Sequence, residues 1–148
     1  MLNLDKGIFL EDKNVVLEWG QQVEQLVTDN HAKILRNPDR TIIEWGTHTI
    51  LDGLILELTN VYLLSTGSHL YKKFKSIEHS SIGDKLAFEN FDRISKHLLI
   101  KIGEPTKQDD TIETEQEKCW VWQTSEVKIT LFLFEQHAFK LHFTIEQN

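Results

Sequence analysis

The sequence predicts an α+β domain in which helices pack on one face of an antiparallel β-meander sheet. Three observations lead to this fold class. In residues 85–102, apolar side chains recur at helical spacing, at Phe91, Ile94, Leu98 and Ile102. Three apolar-rich segments of strand length follow, separated by short turns. The predicted elements of the first half follow the same order, a helix and then strands.

The elements of the first half begin with a predicted helix over Leu17–Asp29, where apolar residues again follow helical spacing. Strands are predicted over Thr41–Thr47 and Leu54–Leu64, with a turn at Leu51-Asp52-Gly53 between them. A third strand is expected within Leu70–Glu78.

The second half has clearer boundaries. Asp84 is a suitable N-cap for the helix, and Gly103 followed by Pro105 ends it. The strands predicted after the helix are Cys119–Thr124, Val127–Glu135 and Ala138–Glu146. We therefore expect a single domain over residues 1–148, in which 1–80 and 81–148 are candidate half-repeats. A chance alternation of helix and strands would give the same order, so duplication and chance both remain open as explanations.

Composition limits the classes of function. The chain has 148 residues, 16 Lys and Arg against 23 Asp and Glu, and a formal net charge of −7. That balance argues against nucleic-acid binding, which depends on basic side chains. The single cysteine, Cys119, excludes an intramolecular disulfide and a multi-cysteine zinc site. A charged N-terminus and short apolar runs predict a cytoplasmic protein without a membrane partner.

Strand parity assigns side chains to the faces of the C-terminal sheet. A two-residue turn at Gln136-His137 would put Phe134 opposite Phe139 and collect a phenylalanine-rich core face. The other face would then carry Ile129, Leu131, Leu133, Lys140, His142 and Thr144, and an even-length turn at Ser125 would add Trp120 and Trp122. Two explanations remain open for that face: other segments cover it, or it is an exposed apolar patch that binds a protein. An odd-length turn would place both indole rings in the core.

No sequence motif indicates catalysis. Nucleotide-binding loops, nucleophile elbows and zinc-protease motifs are missing, so no catalytic residue, metal site or cofactor is expected. By the same parity, Cys119 falls on the core side, where a free cysteine is inert packing. The polar run from Thr106 to Lys118 is either a solvated loop or an acidic arm that attracts a basic partner.

A resemblance to known families rests on the order of these features. The helix, its Gly103-Glu104-Pro105 stop, the Cys119-Trp120-Val121-Trp122 strand and the hairpin over Val127–Glu146 resemble small bacterial immunity proteins, which neutralise a toxin by binding it. The repeated plan of helix plus meander is also similar to β-lactamase inhibitory proteins, which bind their target through an aromatic-rich concave sheet. The paired cysteines of those secreted inhibitors are missing here.

The predicted function is therefore non-enzymatic protein binding, in which an immunity or inhibitor protein covers the active surface of a basic toxin. The predicted anchors are Trp120, Trp122, Leu131 and His142, and the predicted electrostatic contributors are Asp109, Asp110, Glu113, Glu115 and Glu117. Two alternatives remain: a small-molecule-binding or catalytic α+β domain with a pocket between helices and sheet, and a self-associating structural subunit.

Overall fold

The structure, a computed structural model, describes residues 3–20, 32–63, 73–79, 85–110, 116–136 and 138–148. Within these ranges the chain forms ten strands and one helix. The helix, α1, is Lys85–Lys101. The strands are β1 (Gly7–Leu10), β2 (Val15–Glu18), β3 (Lys33–Arg36), β4 (Arg40–Ile50), β5 (Leu54–Leu63), β6 (Lys73–His79), β7 (Lys107–Asp109), β8 (Lys118–Gln123), β9 (Val127–Gln136) and β10 (Ala138–Gln147).

The strands form two antiparallel sheets. β1 and β2 pair as a hairpin, and the other eight strands form one sheet in the order β3-β4-β5-β6-β10-β9-β8-β7. The large sheet therefore consists of two four-stranded meanders joined through their last strands, β6 and β10. This strand order relates the meanders by an approximate twofold arrangement. The division into half-repeats 1–80 and 81–148 stays a prediction.

The predicted α+β class, with helices packed on the sheet, is wrong, because the chain is largely β. Leu17 and Glu18, where the first helix was predicted to begin, belong to β2, and positions 21–29 of that predicted helix lie outside the described residues. The β-branched pair Val15-Val16 favours a strand, and its pairing with β1 overrides the helical spacing around it. The hairpin, β3 and β7 were not predicted, and β7 lies within the run from Thr106 to Lys118 that was predicted as a loop or an arm.

Several other predicted elements are confirmed. The second predicted helix matches α1, and the six strands β4, β5, β6, β8, β9 and β10 lie within a few residues of their predicted positions or inside the predicted window. Gly103 ends α1 in a left-handed conformation, with a φ of 108°. Its N–H and that of Ile102 both donate to the Leu98 carbonyl, at 3.2 and 2.8 Å.

The core lies between the large sheet on one side and α1 with the hairpin on the other. α1 contacts β6, β9 and β10 and buries Phe91, Ile94 and Leu98 against the sheet. The hairpin adds Ile8, Leu10 and Leu17 to the same cluster of buried side chains. Each such side chain contributes about 1.5–3 kcal/mol to the free energy of unfolding when it is buried. Burial on this side of the sheet therefore determines which face of each strand turns toward the core.

The β4–β5 turn is held in an unusual backbone conformation. Leu51 and Asp52 have φ values of 51° and 61°, and Gly53 has a φ of 108°. The Glu11 carboxylate accepts the N–H groups of Asp52 and Gly53, at 2.5 and 2.9 Å. His97 of α1 lies 2.7 Å, through Nε2, from the Leu51 carbonyl. Because successive left-handed residues point their N–H groups in one direction, this turn binds a carboxylate of the chain itself.

A second polar contact joins the hairpin to β4. Asp12 accepts the Thr49 N–H at 3.0 Å, and its other oxygen lies 2.9 Å from His48 Nδ1. His48 Nε2 lies 2.9 Å from the Trp45 carbonyl. Both partners of the ring are acceptors, so the imidazole donates to both only when both nitrogens carry protons. The Thr49 bond, followed by the His48 bond, lowers the pKa of Asp12 below its usual value.

Replacement of Asp12 by asparagine is expected to reduce stability in a pH-dependent way. Since the folded pKa of Asp12 lies below the unfolded value, the ionised carboxylate stabilises the fold above about pH 4 and loses that contribution as the pH falls through the folded pKa. The melting temperature of Asp12→Asn should therefore be lower than that of the wild type at pH 7, and the difference should shrink in acid. Asp39→Asn, at an exposed turn, is the control; a constant Asp12→Asn difference from pH 7 to pH 3 would contradict the assignment.

Candidate functional site

The pairing of β9 with β10 differs from the prediction by one residue. Gln136 is the Cα partner of Ala138, so Phe134 lies opposite Lys140 rather than Phe139. A shift of one residue exchanges the faces of a strand. In this register Val127, Ile129, Leu131 and Leu133 all turn to the core together with the apolar residues of β10. The predicted register would have left all four of these aliphatic side chains outside and placed Thr130 inside, which explains why it is not adopted.

The two tryptophans lie on the helix side of the sheet, so the prediction that they face away from the helices is wrong. Trp122 pairs with Ile129 and Trp120 with Leu131, as the even-length turn predicted, but this face is the core. Trp122 is 1% exposed and Leu131 is 0% exposed. The indole of Trp122 donates from Nε1 to the Gly103 carbonyl at 2.9 Å. Neither side chain offers surface to a partner.

Trp120 is half-buried at the edge of the same layer. Its ring meets Phe91 of α1 edge to face, with 5.2 Å between centroids. Its Nε1 donates to Asp110 at 2.7 Å. That bond, followed by the side-chain amide of Gln108, lowers the pKa of Asp110.

The predicted acidic residues do not form a single arm among the described residues. Glu117 is 3% exposed, and its carboxylate accepts the Glu135 N–H at 3.0 Å. Asp110 is exposed beside Trp120, whereas Asp109 lies in the edge strand β7. Glu113 and Glu115 lie outside the described residues.

We call the opposite surface of β7–β10 the open face, defined by Asp109, Cys119, Phe132, Phe134 and His142. Four of these residues form one row: Asp109 pairs with Cys119, Cys119 with Phe132, and Phe132 with His142. Directly opposite residues of neighbouring strands point to the same side of a sheet. Among the described residues, α1 and the hairpin pack on the other side. Of the predicted site residues, Asp109 and His142 belong to the open face.

The centre of the open face is an aromatic cluster. Phe132 and Phe134 stack with 4.7 Å between centroids and 17° between planes. His142 meets Phe134 edge to face at 4.8 Å and 83°. All three side chains are half-buried. Offset stacking and edge-to-face contacts are the favoured arrangements of aromatic rings, so the cluster is held in place before any partner binds.

A shallow cavity of about 290 Å³ lies beside this cluster, lined by Cys119, Lys128, Thr130, Phe132, His142, Thr144 and Glu146. Lys128 and Glu146 form an ion pair of 3.8 Å across it. The prediction that Cys119 faces the core is wrong for the same register reason. Burial raises the pKa of the Cys119 thiol, which keeps it protonated and a poor nucleophile.

Phe132 and Phe134 were predicted in the core, whereas they lie on the open face. The available signal was the run of aliphatic residues at every second position from Val127 to Leu133, which forms a more uniformly apolar face than the alternative containing Thr130. Comparing the two faces of β9 as whole sets, rather than fixing the turn first, favours the observed register.

The described residues contain no group of three or more His, Cys, Asp or Glu side chains placed to hold a metal ion. In the same residues, no helix is long and apolar enough to cross a membrane. Comparison of the chain with protein families, curated proteins and solved structures finds no match.

Proposed function

We propose that this chain is a non-enzymatic binding protein that neutralises a protein toxin by covering its active surface with the open face. The single observation that carries the proposal is the aromatic cluster of Phe132, Phe134 and His142, which lies on the side of the sheet away from α1. Rigid aromatic side chains at a surface are the usual anchors of protein interfaces, because they bury a large area at little cost in conformational entropy.

The shape of the open face favours a protein over a small molecule. Its cavity, about 290 Å³, is shallow and open to solvent, whereas sites for small ligands enclose most of the ligand's surface. The row from Asp109 to His142 crosses four strands, which spans about 14 Å at the usual strand spacing. A surface of that breadth matches the central part of a protein interface rather than a ligand pocket.

The formal net charge of the whole chain, −7, supports a basic partner. On the open face itself, the Asp109 carboxylate lies at the edge of the aromatic row, and Lys107 and Lys140 lie on the same side of the sheet. Lys128, on the same surface, is paired with Glu146. Long-range attraction between an acidic protein and a basic toxin accelerates association, and complementary charges at the rim select the orientation of binding.

The proposal is tested by co-expressing the chain with the product of each adjacent gene, since an immunity protein is normally encoded beside its toxin. We expect one neighbour to arrest growth and the wild-type chain to restore it. Phe134→Ala should weaken the purified complex about thirtyfold in Kd, measured by calorimetry, as expected for an anchor worth about 2 kcal/mol. Growth restoration should weaken accordingly.

Phe9→Ala is the matched control, because Phe9 is an exposed phenylalanine on the hairpin, outside the open face. It should restore growth as the wild type does. A complex that forms with equal Kd for Phe134→Ala and the wild type would reject the open face as the docking surface. If no adjacent gene product is both toxic and bound by the chain, the neutralising function itself is wrong.

A further inference from the structure

A larger cavity, of about 500 Å³, lies where the hairpin, the β4–β5 turn and the last residue of α1 meet. We call it the hairpin cavity. Its volume falls within the range of about 300–1,000 Å³ typical of small-molecule sites. It shares none of its described lining residues with the cavity on the open face. Its binding properties can therefore be tested separately from those of the open face.

The inner part of the hairpin cavity is apolar. Leu4, Ile8 and Leu51 line it and are themselves buried in the core. Phe9 and Val16 are Cα partners across the hairpin and form its outer wall, and each remains 40% exposed. Two large apolar side chains left side by side in water next to a cavity indicate that an apolar ligand can gain burial there.

The charged groups at the mouth of the cavity differ in how many hydrogen bonds and ion pairs they already make within the protein. Both carboxylate oxygens of Glu11 accept N–H groups of the β4–β5 turn. Asp52 pairs with Lys101 at 2.6 Å. Lys6 lines the cavity and has no ion pair within the described part of the chain. The ammonium group of Lys101 has three N–H donors, of which Asp52 takes one.

We propose that the hairpin cavity binds an amphipathic carboxylate, a molecule with one carboxylate head and an unbranched apolar tail. The head lies between the ammonium groups of Lys6 and Lys101, and the tail covers Phe9 and Val16 above the apolar floor. Both oxygens of Glu11 and one oxygen of Asp52 already accept hydrogen bonds within the protein. The groups left to bind a ligand head are therefore the N–H donors of Lys6 and Lys101, from which a carboxylate accepts hydrogen bonds and a quaternary ammonium cannot.

Isothermal titration calorimetry with octanoate, decanoate and dodecanoate, each below its micelle concentration, tests this site in the full-length chain. We expect saturable binding with one ligand per chain. The affinity should rise about threefold to fourfold for each methylene added, the factor expected when a methylene leaves water. Decyltrimethylammonium, with the same tail and the opposite charge, should bind at least tenfold more weakly than decanoate.

Two variants locate the head and the tail. Lys6→Gln should weaken decanoate binding about fivefold at low salt, as expected for an exposed ion pair. Lys13→Gln removes a lysine from the exposed turn of the same hairpin, outside the cavity lining, and should leave the affinity unchanged. Phe9→Ala should weaken decanoate binding about tenfold, whereas Ile55→Ala, at an exposed apolar residue of β5, should not.

The proposal is overturned if decanoate shows no saturable binding, or if the cationic amphiphile binds as tightly as the carboxylate. It is also overturned if Lys6→Gln and Lys13→Gln have equal affinities for decanoate. None of these results bears on the toxin-neutralising function, because growth restoration and the Kd of the protein complex are measured through the open face.

Discussion

Trp122→Ala is expected to lower the free energy of unfolding by about 3–5 kcal/mol, the range for loss of a large aromatic side chain from a core. Trp122 is 1% exposed, so its removal leaves a cavity between β8 and the residues that follow α1. It also removes the indole N–H that donates to the Gly103 carbonyl. An acceptor at the end of the helix then loses its partner, which adds to the cost.

Urea unfolding monitored by far-ultraviolet circular dichroism measures this effect. Trp120→Ala is the matched comparison, because Trp120 lies two residues away on the same face but is half-buried, with its indole bonded to the exposed carboxylate of Asp110. We expect a smaller loss for Trp120→Ala. A larger loss for Trp120→Ala than for Trp122→Ala would contradict the assignment of Trp122 to the core. Trp122→Phe, which keeps most of the ring volume, should recover part of the stability.

This prediction reverses the role that sequence analysis gave Trp122, and the reason is physical. Parity correctly paired Trp122 with Ile129, because the short turn between β8 and β9 fixes their register locally. It could not decide which side of the sheet α1 covers. That choice was tied to an assumed two-residue turn before β10, and a one-residue error there exchanged inside for outside.

The long periodic elements were predictable from the sequence alone. α1 carries a strong apolar stripe and a glycine stop, and β9 and β10 are long segments of β-branched and aromatic residues. β1 and β2 are four residues each, and their pairing depends on contacts with Thr49 and the β4–β5 turn that are distant in sequence. Short strands held by distant contacts leave little local signal, so the mostly β class was missed.

The candidate site was predictable in part for the same reason. Asp109 and His142 were identified and do lie on the open face, at two ends of one row of register partners. Phe132 and Phe134 were assigned to the core because the turn before β10 was taken to contain two residues, which fixed a face with six apolar residues as the core. The observed core face of β9 and β10 instead contains eight apolar residues, Val127, Ile129, Leu131, Leu133, Phe139, Leu141, Phe143 and Ile145. The larger apolar set is buried, as the area dependence of the hydrophobic effect requires.

Gly7→Ala is expected to disrupt the hairpin. A Cβ atom at Gly7 would lie 2.0 Å from the Leu17 carbonyl oxygen and 2.9 Å from the Glu18 Cα. Both are backbone atoms, so no side-chain rotation can relieve the clash. The φ of Gly7, +155°, is also one that other residues rarely adopt. We expect β1 to separate from β2 and the free energy of unfolding to fall by about 3 kcal/mol or more, a loss that requires a specific structural cause.

Gly46→Ala is the control that isolates backbone strain. Gly46 sits at the β4 bulge with a φ of +84°, and a Cβ there would meet no atom within 4 Å. Its loss should be about 1–2 kcal/mol, the cost of a left-handed residue with a side chain. Equal losses of unfolding free energy for Gly7→Ala and Gly46→Ala, measured by urea unfolding, would contradict the close approach of Gly7 to the Leu17 backbone.

Gly7→Ala also distinguishes the two proposed binding surfaces, the hairpin cavity and the open face. Gly7 lines the hairpin cavity, whereas the open face lies on β7–β10, on the side of the sheet away from the hairpin. If the large sheet survives, as native-like circular dichroism would indicate, Gly7→Ala should lose decanoate binding and retain its Kd for the protein partner. Phe134→Ala should do the opposite. Loss of both activities in a folded Gly7→Ala chain would mean that the hairpin supports the open face, and the two surfaces would then be one coupled site.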